Sequence, residues 1–352
     1  MRLLLTLLLL ACTTSARSEP FAGRAEVNAF IAGMAARHDF DAAALAAMFR
    51  RVEPNAAVLK AIAPPADPGI RSWQAYRDRF VEPRRIAAGL RFWHEHEATL
   101  RKAEAIHDVP AGIIVAIIGV ETFFGHHMGR FRTFEALATL AFDYPPRADL
   151  FLRELEALLL LAREQGRDPL SYKGSYAGAI GLPQFLPSSV RGFAVDFDGS
   201  GRIDLDGSPA DAIGSVASFL GNHGWKKDGP IALPVRVDGD VSALIGEGIR
   251  PLRLPEDMAA FGVQAKDAPR QPAALIDLAT PGAPTEYRLG FSNFFVLTRY
   301  NRSSFYAAAV MDLAEALKSA VTARRPSEPP RAAGAGATGR APPSGSAARA
   351  RG

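Results

Sequence analysis

The sequence has one cysteine, Cys12, in 352 residues, so no intramolecular disulfide is possible. It has no apolar run long enough to span a bilayer: the N-terminal stretch Leu3–Leu10 is too short. It lacks a Gly-Lys phosphate loop, a dinucleotide-binding glycine fingerprint and a Gly-x-Ser-x-Gly nucleophile elbow, which removes three large enzyme classes. His94-Glu95-His96-Glu97 has no second histidine four residues after the first, so it is not a zinc-protease helix. There is no internal repeat. A charge excess within the fold is also missing. The formal net charge is +4, but six arginines and one glutamate from Ala323 onward give that tail +5 and leave the rest of the chain at −1. The basicity therefore sits in a Pro/Ala/Gly-rich end that cannot bury a core, and no nucleic-acid partner is implied. With 48% hydrophobic and 22% charged residues, the chain reads as globular, not disordered, fibrous or polytopic.

Arg2 followed by Leu3–Leu10, Ala11 and Cys12 is a short leader pattern. Leu9-Leu10-Ala11-Cys12 resembles a bacterial lipobox, in which Cys12 becomes the lipidated first residue after removal of residues 1–11. An ordinary secretory signal cut elsewhere, for instance after Ala16, is the alternative. Thr13 after the cysteine, by analogy with bacterial lipoproteins, points to the outer membrane facing the periplasm.

The remaining chain reads as mainly α. Residues 12–22 form a linker. Val27, Phe30, Ile31 and Met34 fall on one helical face, Asp41 can cap a second helix, and these open a helical N-terminal region over 23–82. A long helix is expected from Pro83 to about Ile106, with Ile86, Leu90, Trp93 and Leu100 inward. Pro110 starts a buried helix over Ala111–Val120. Further helices are expected at about 133–141 and 147–165, an ordered loop over 166–200, and a helix from Ser208-Pro209 to Asn222. Over 230–299, short runs (Ile231–Val237, Arg250–Leu254, Ala274–Leu278, Tyr287–Leu289, Phe294–Thr298) separated by turn residues predict a small β-rich subdomain. A last helix is expected at about 303–320 within 300–322, before a basic tail over 323–352.

Two segments carry chemistry. Glu121 ends the apolar run Gly112–Val120 and precedes Thr122-Phe123-Phe124-Gly125. A carboxyl there is poorly solvated, which raises its pKa toward what a general acid needs near neutral pH. A solvated or cation-paired helix-end glutamate is the other reading. The second segment is Gly174-Ser175-Tyr176-Ala177-Gly178-Ala179-Ile180-Gly181-Leu182-Pro183-Gln184-Phe185-Leu186-Pro187-Ser188-Ser189. Its glycines and prolines fix an unusual backbone, and Ser175 and Gln184 offer groups suited to sugar hydroxyls and acetamides. A tight structural loop without a ligand is the alternative.

GVETFFG around Glu121, with GSYAGAIGLPQFLPSS, resembles the membrane-bound lytic murein transglycosylase B family (glycoside hydrolase family 103), from about Phe21 to Lys318. The resemblance implies a lysozyme-like helical catalytic core over 83–229. It implies cleavage of the β-1,4 bond between N-acetylmuramic acid and N-acetylglucosamine in peptidoglycan without water, with a 1,6-anhydro product and Glu121 as single acid/base. It implies a saccharide site lined by Ser175 and Gln184, and by Tyr300, Asn301 and Tyr306 of a further signature. Ordinary packing of the last helix is the other account of those three residues. No cofactor is required for that chemistry. The expected partners are peptidoglycan glycan strands and outer-membrane lipid through Cys12. A hydrolytic muramidase and a non-catalytic peptidoglycan-binding lipoprotein are the alternative functions.

Asp196-Phe197-Asp198-Gly199-Ser200-Gly201-Arg202-Ile203 resembles an EF-hand loop, with oxygen ligands at Asp196, Asp198 and Ser200 and the carbonyl of Arg202. Position 12 is Gly207 in place of the usual acid. Family members use a lengthened loop, and Asp211 matches their closing acid, although this loop looks about one residue longer. Asp211 also stands at capping-box spacing from Ser208. A structural Ca²⁺ beside the Gln184 segment is the expectation.

Overall fold

The computed structural model describes residues 19–64 and 71–324. Cys12, the leader and the basic tail lie outside the described residues. Among those described, fourteen α-helices carry most of the chain, and the fold is mainly α.

The N-terminal helices are α1 (Ala25–His38), α2 (Ala42–Phe49), α3 (Ala56–Ile62) and α4 (Trp73–Phe80). Their starts follow local chemistry: the side chains of Asp41, Asn55 and Ser72 each accept from backbone N–H groups of the first turn. Prolines in this region hide α3 and α4 from the hydrophobic pattern. Next come α5 (Pro83–Glu95), capped by Glu82 with Pro83 at its first position, then α6 (Glu97–His107) and α7 (Ala111–Thr122).

The expected single helix from Pro83 to Ile106 is thus two, broken at His96, whose φ of −117° and ψ of 22° leave the helical region. The break lets α5 lie on α7 while α6 turns toward the helix at 209–222. Leu90 and Leu100 are both buried, as their spacing predicts, while Ile86 and Trp93 are only partly so.

Helix α7 has no polar face because it has no outside. From Ala111 to Val120 every residue is buried. Fully burying an Ile or Val is worth about 1.5–3 kcal/mol, so this helix anchors the core. Beyond it lie β1 (Phe131–Arg132), α8 (Thr133–Asp143), α9 (Ala148–Glu164), β2 (Lys173–Gly174), α10 (Pro187–Phe193) and α11 (Pro209–Asn222). The 166–200 segment is therefore not all loop: Pro187 starts a short helix, and buried Glu154 of α9 accepts from the backbone and hydroxyl of Ser188 (3.0 and 2.6 Å) at its first turn.

The chain then forms β3 (Ala232–Val237), α12 (Ser242–Gly246), β4 (Val263–Gln264), β5 (Ala274–Leu278) and β6 (Glu286–Gly290), in an antiparallel sheet of order β4-β3-β6-β5. Side chains alternate across it. Ala274, Ile276 and Leu278 join the main core, while Leu275 and Leu289 join a second core with Val241, Leu244, Met258 and Phe291. Two expected strands are absent. Arg250–Leu254 contributes only an isolated bridge between Arg253 and Ala273. Phe294–Thr298 lies in α13 (Ser292–Tyr300), with all of it but Phe295 buried. A short apolar run is equally compatible with a buried strand or a buried helix. Finally α14 (Ser304–Arg324) packs along α7, α4 and α5.

Candidate active site

Glu121 sits half-buried in the last turn of α7, directly after the fully enclosed run that ends at Val120. The helix stops by an unusual turn. Phe123 (φ 52°) and Phe124 (φ 59°) are both left-handed, a conformation that costs a bulky residue about 1–3 kcal/mol. The fold holds them there by packing. A Cβ on Gly119 would stand 2.7 Å from Phe124 Cζ, so the glycine of GVETFFG makes room for that ring. Thr122, fully buried, ties the turn to the second motif: its hydroxyl lies 3.0 Å from the carbonyl of Leu182 and accepts from Gly125 N–H at 3.0 Å.

Tyr306, at the start of α14, donates its hydroxyl to Glu121 Oε1 at 2.7 Å. Burial raises the Glu121 carboxyl from 4.5 to about 7, against the Tyr306 hydrogen bond, which lowers it. The negative end of the α7 dipole also disfavours charge there. Burial and the neighbouring carboxylate hold Tyr300 and Tyr306 well above the ordinary phenol range, so both hydroxyls keep their protons at neutral pH. Tyr300 stacks on Tyr306 (6.3 Å between rings, 15°) and donates to the carbonyl of Pro183 at 2.5 Å. Glu121, Tyr300 and Tyr306 are thus brought together. Tyr76 of α4 lies beside them: its ring packs edge-on against Phe305, the residue before Tyr306 (5.7 Å), and burial, then the Glu121 carboxylate, raise its pKa. Sequence reasoning missed Tyr76, since α4 itself was hidden among prolines.

The other saccharide candidates are arranged differently. Gln184 is left-handed (φ 51°), and its amide hydrogens go to the carbonyls of Met128 (3.1 Å) and Gly181 (2.8 Å). Its amide N–H groups therefore brace the loop. The Ser175 hydroxyl oxygen accepts from Ala177 and Ala179 N–H (3.3 and 3.1 Å), which leaves its hydrogen to donate. Asn301 is exposed between α13 and α14. No hydrogen bond joins Ser175, Gln184 or Asn301 to Glu121 among the described residues. Gly181 (φ +71°) lets the loop approach Leu205, whose carbonyl would be 2.5 Å from an added Cβ and accepts from Leu182 N–H.

That contact joins the motif to the acidic loop. Ligand oxygens of Asp196, Asp198 and Asp211 lie within 4.8 Å of one another. Ser200 hydroxyl donates to the Arg202 carbonyl at 3.2 Å. Asp211 is fully buried, and its carboxylate accepts from the N–H groups of Phe197, Asp198 and Asp204. The anticipated capping box is only half formed: Ser208 accepts from Asp211 N–H, but the Asp211 carboxylate turns into the loop. Three converging carboxylates make an all-oxygen donor set of the kind that suits a hard divalent cation such as Ca²⁺.

The sequence pattern of the transglycosylase SLT domain matches residues 22–315. The chain belongs to this family of lytic transglycosylases. Among its relatives, membrane-bound lytic murein transglycosylase B of Escherichia coli (strain K12) is 40% identical over 312 residues, covering 84% of each chain. The crystal structure of soluble lytic transglycosylase SltB1 from Pseudomonas aeruginosa shares 44% identity, with a TM-score of 0.78 over 84% of this chain and 99% of that one. Escherichia coli Slt35 in complex with calcium shares 38% identity, with a TM-score of 0.76 over 86% and 95%. The fold and the recognised family therefore agree with the sequence reading. In this transglycosylase the geometry supplies one carboxyl that titrates near neutral pH, one neutral phenol bonded to it, and a second tyrosine ring stacked on that phenol.

Proposed function

We propose that the chain cleaves the β-1,4 bond between N-acetylmuramic acid and N-acetylglucosamine in peptidoglycan, with Glu121 as the single acid/base. The observation that carries this is the carboxyl at about 7, hydrogen-bonded to Tyr306 and to no second acid among the described residues. In the first step Glu121 gives its proton to the glycosidic oxygen and the C1–O bond of N-acetylmuramic acid breaks. The N-acetylglucosamine strand leaves with that proton as a new hydroxyl. The sugar's own 2-acetamido group stabilises the oxocarbenium-like centre, as in substrate-assisted glycosidases. In the second step the Glu121 carboxylate takes the proton of the C6 hydroxyl and O6 bonds to C1, closing a 1,6-anhydro ring and restoring the acid. No water is consumed. Tyr306 holds the carboxyl and supports its charged form between the steps. Tyr300 and Tyr76 present aromatic surface, and Ser175, Gln184 and Asn301 bind sugar groups farther along the cleft.

A Ca²⁺ ion held by Asp196, Asp198, Asp211, Ser200 and the carbonyl of Arg202 would cross-link the acidic loop beside the Gln184 motif, as structure and not as chemistry. The lipobox pattern supports a periplasmic protein anchored in the outer membrane through Cys12. The test of the catalytic assignment is solubilisation of purified sacculi by Glu121→Gln. General acid catalysis contributes ~10² to 10⁴, and a loss of at least that size is expected. Unchanged solubilisation would refute it.

A further inference from the structure

Two elements that meet at Glu121, α4 and the start of α14, are joined at their far sides to the sheet. The joint is an ionic network around one buried arginine, which the reaction itself does not use. Arg288 of β6 is 6% exposed. Its guanidinium donates to both carboxylate oxygens of Asp312 on α14 (2.6 and 3.2 Å) and through Nε to Glu286 (2.7 Å). Arg77 of α4 donates to the same Asp312 at 2.7 Å. Arg288 also lies over the Trp73 ring, 5.4 Å from its centroid, while Trp73 Nε1 donates to Glu286 at 3.0 Å. Backbone bonds from Trp73 to the carbonyl of Ala279 (2.8 Å) and from Gln74 to the Thr280 hydroxyl (3.0 Å) fix the start of α4 just past β5. On the cleft side, Trp73 and Tyr76 pack edge-on against Phe305 (5.6 and 5.7 Å), the residue preceding Tyr306.

We infer that Arg288 is a positioning residue for the reaction: by clamping Asp312 and Trp73 together it sets the separation of α4 and α14 at which Phe305 seats Tyr306 on Glu121. The inference rests on the proposed role of Glu121. A guanidinium suits the task because its planar fork can bind a carboxylate through two N–H groups and lie on an aromatic face at once, which an ammonium cannot do. A buried ion pair of this kind is a weak source of stability. Its contribution here is geometric: it relates three elements distant in sequence through one side chain.

The experiment is a double-mutant cycle on purified glycan strands with Arg288→Lys, Tyr306→Phe and both together, reading kcat, KM and the pH profile. Arg288→Lys is expected to lower kcat about tenfold with KM changed less than roughly twofold, and to move the alkaline limb of the profile in the direction that Tyr306→Phe moves it. In the Tyr306→Phe background its further effect is expected to shrink to less than roughly twofold. Two effects that multiply in full, with an unmoved pH profile, would overturn the inference. Arg77→Met, at a half-exposed site of the same network, gives the same test in milder form if Arg288→Lys fails to fold. If Glu121→Gln stays active, the reading of the site fails. If it is inactive and the cycle is multiplicative, only the clamp fails.

Discussion

Replacing Glu121 by glutamine is expected to make the protein more stable, and only at neutral and alkaline pH. The carboxyl titrates at about 7 in the folded chain against an ordinary value of 4.5. Below 4.5 both folded and unfolded chains hold the proton, so the group contributes nothing. Between 4.5 and about 7 the folded chain holds a proton that the unfolded chain has released, and stability falls as pH rises. Above about 7 the whole cost is present. At about 1.36 kcal/mol per unit, the gap amounts to about 3 kcal/mol. Glutamine keeps an acceptor for Tyr306 but adds amide hydrogens that lack partners, which offsets about 1–2 kcal/mol of the gain. The net is about 1–2 kcal/mol at pH 8, or a Tm higher by roughly 2–3 °C for a fold of this size, and it reverses at pH 4, where only the amide cost of about 1–2 kcal/mol remains. Paired thermal or urea unfolding of wild type and Glu121→Gln at the two pH values reads it. A difference independent of pH, or a variant relatively less stable at pH 8, would refute the burial argument on which the catalytic assignment stands.

Three other outcomes follow from particular contacts. Tyr306→Phe removes the hydrogen bond that favours the carboxylate, so the alkaline limb of kcat/KM should rise by roughly half to one pH unit while kcat falls about tenfold; an unmoved limb would show that the bond does not act on the reacting acid. Millimolar Ca²⁺ should raise the Tm of wild type, through binding to the folded state alone, and not that of Asp198→Asn; an equal response in both would remove Asp198 from the cation site. Cys12→Ala should release the protein from the membrane to the soluble periplasmic fraction, and continued sedimentation with membranes would contradict the anchor.

Local patterns were legible in the sequence because their physics is local. An apolar helix with one glutamate at its end, and an alternating Asp loop, need only neighbouring residues to be recognised. Glu121 therefore lies where its run of isoleucines and valines implies, and Asp196, Asp198 and Asp211 converge. Relations between distant segments were not legible. Nothing near Tyr76 indicates that α4 returns to Glu121, because Arg288 and Trp73, some two hundred residues apart in sequence, fix that helix through tertiary contacts. The partners of the Gln184 amide N–H groups, the carbonyls of Met128 and Gly181, were hidden in the same way, since Met128 lies 56 residues earlier in the chain. The misreading of Phe294–Thr298 has the same origin, since burial on all sides erases the periodicity that distinguishes helix from strand.

The central claim is that the C6 hydroxyl, and not water, takes the place of the departing strand, with Glu121 serving both steps. Digestion of purified glycan strands in heavy-oxygen water, followed by mass spectrometry of the new N-acetylmuramic acid ends, tests it directly. The account predicts ends lighter by one water than the reducing sugar and free of the label. Reducing ends carrying heavy oxygen would make the enzyme a hydrolytic muramidase and contradict it.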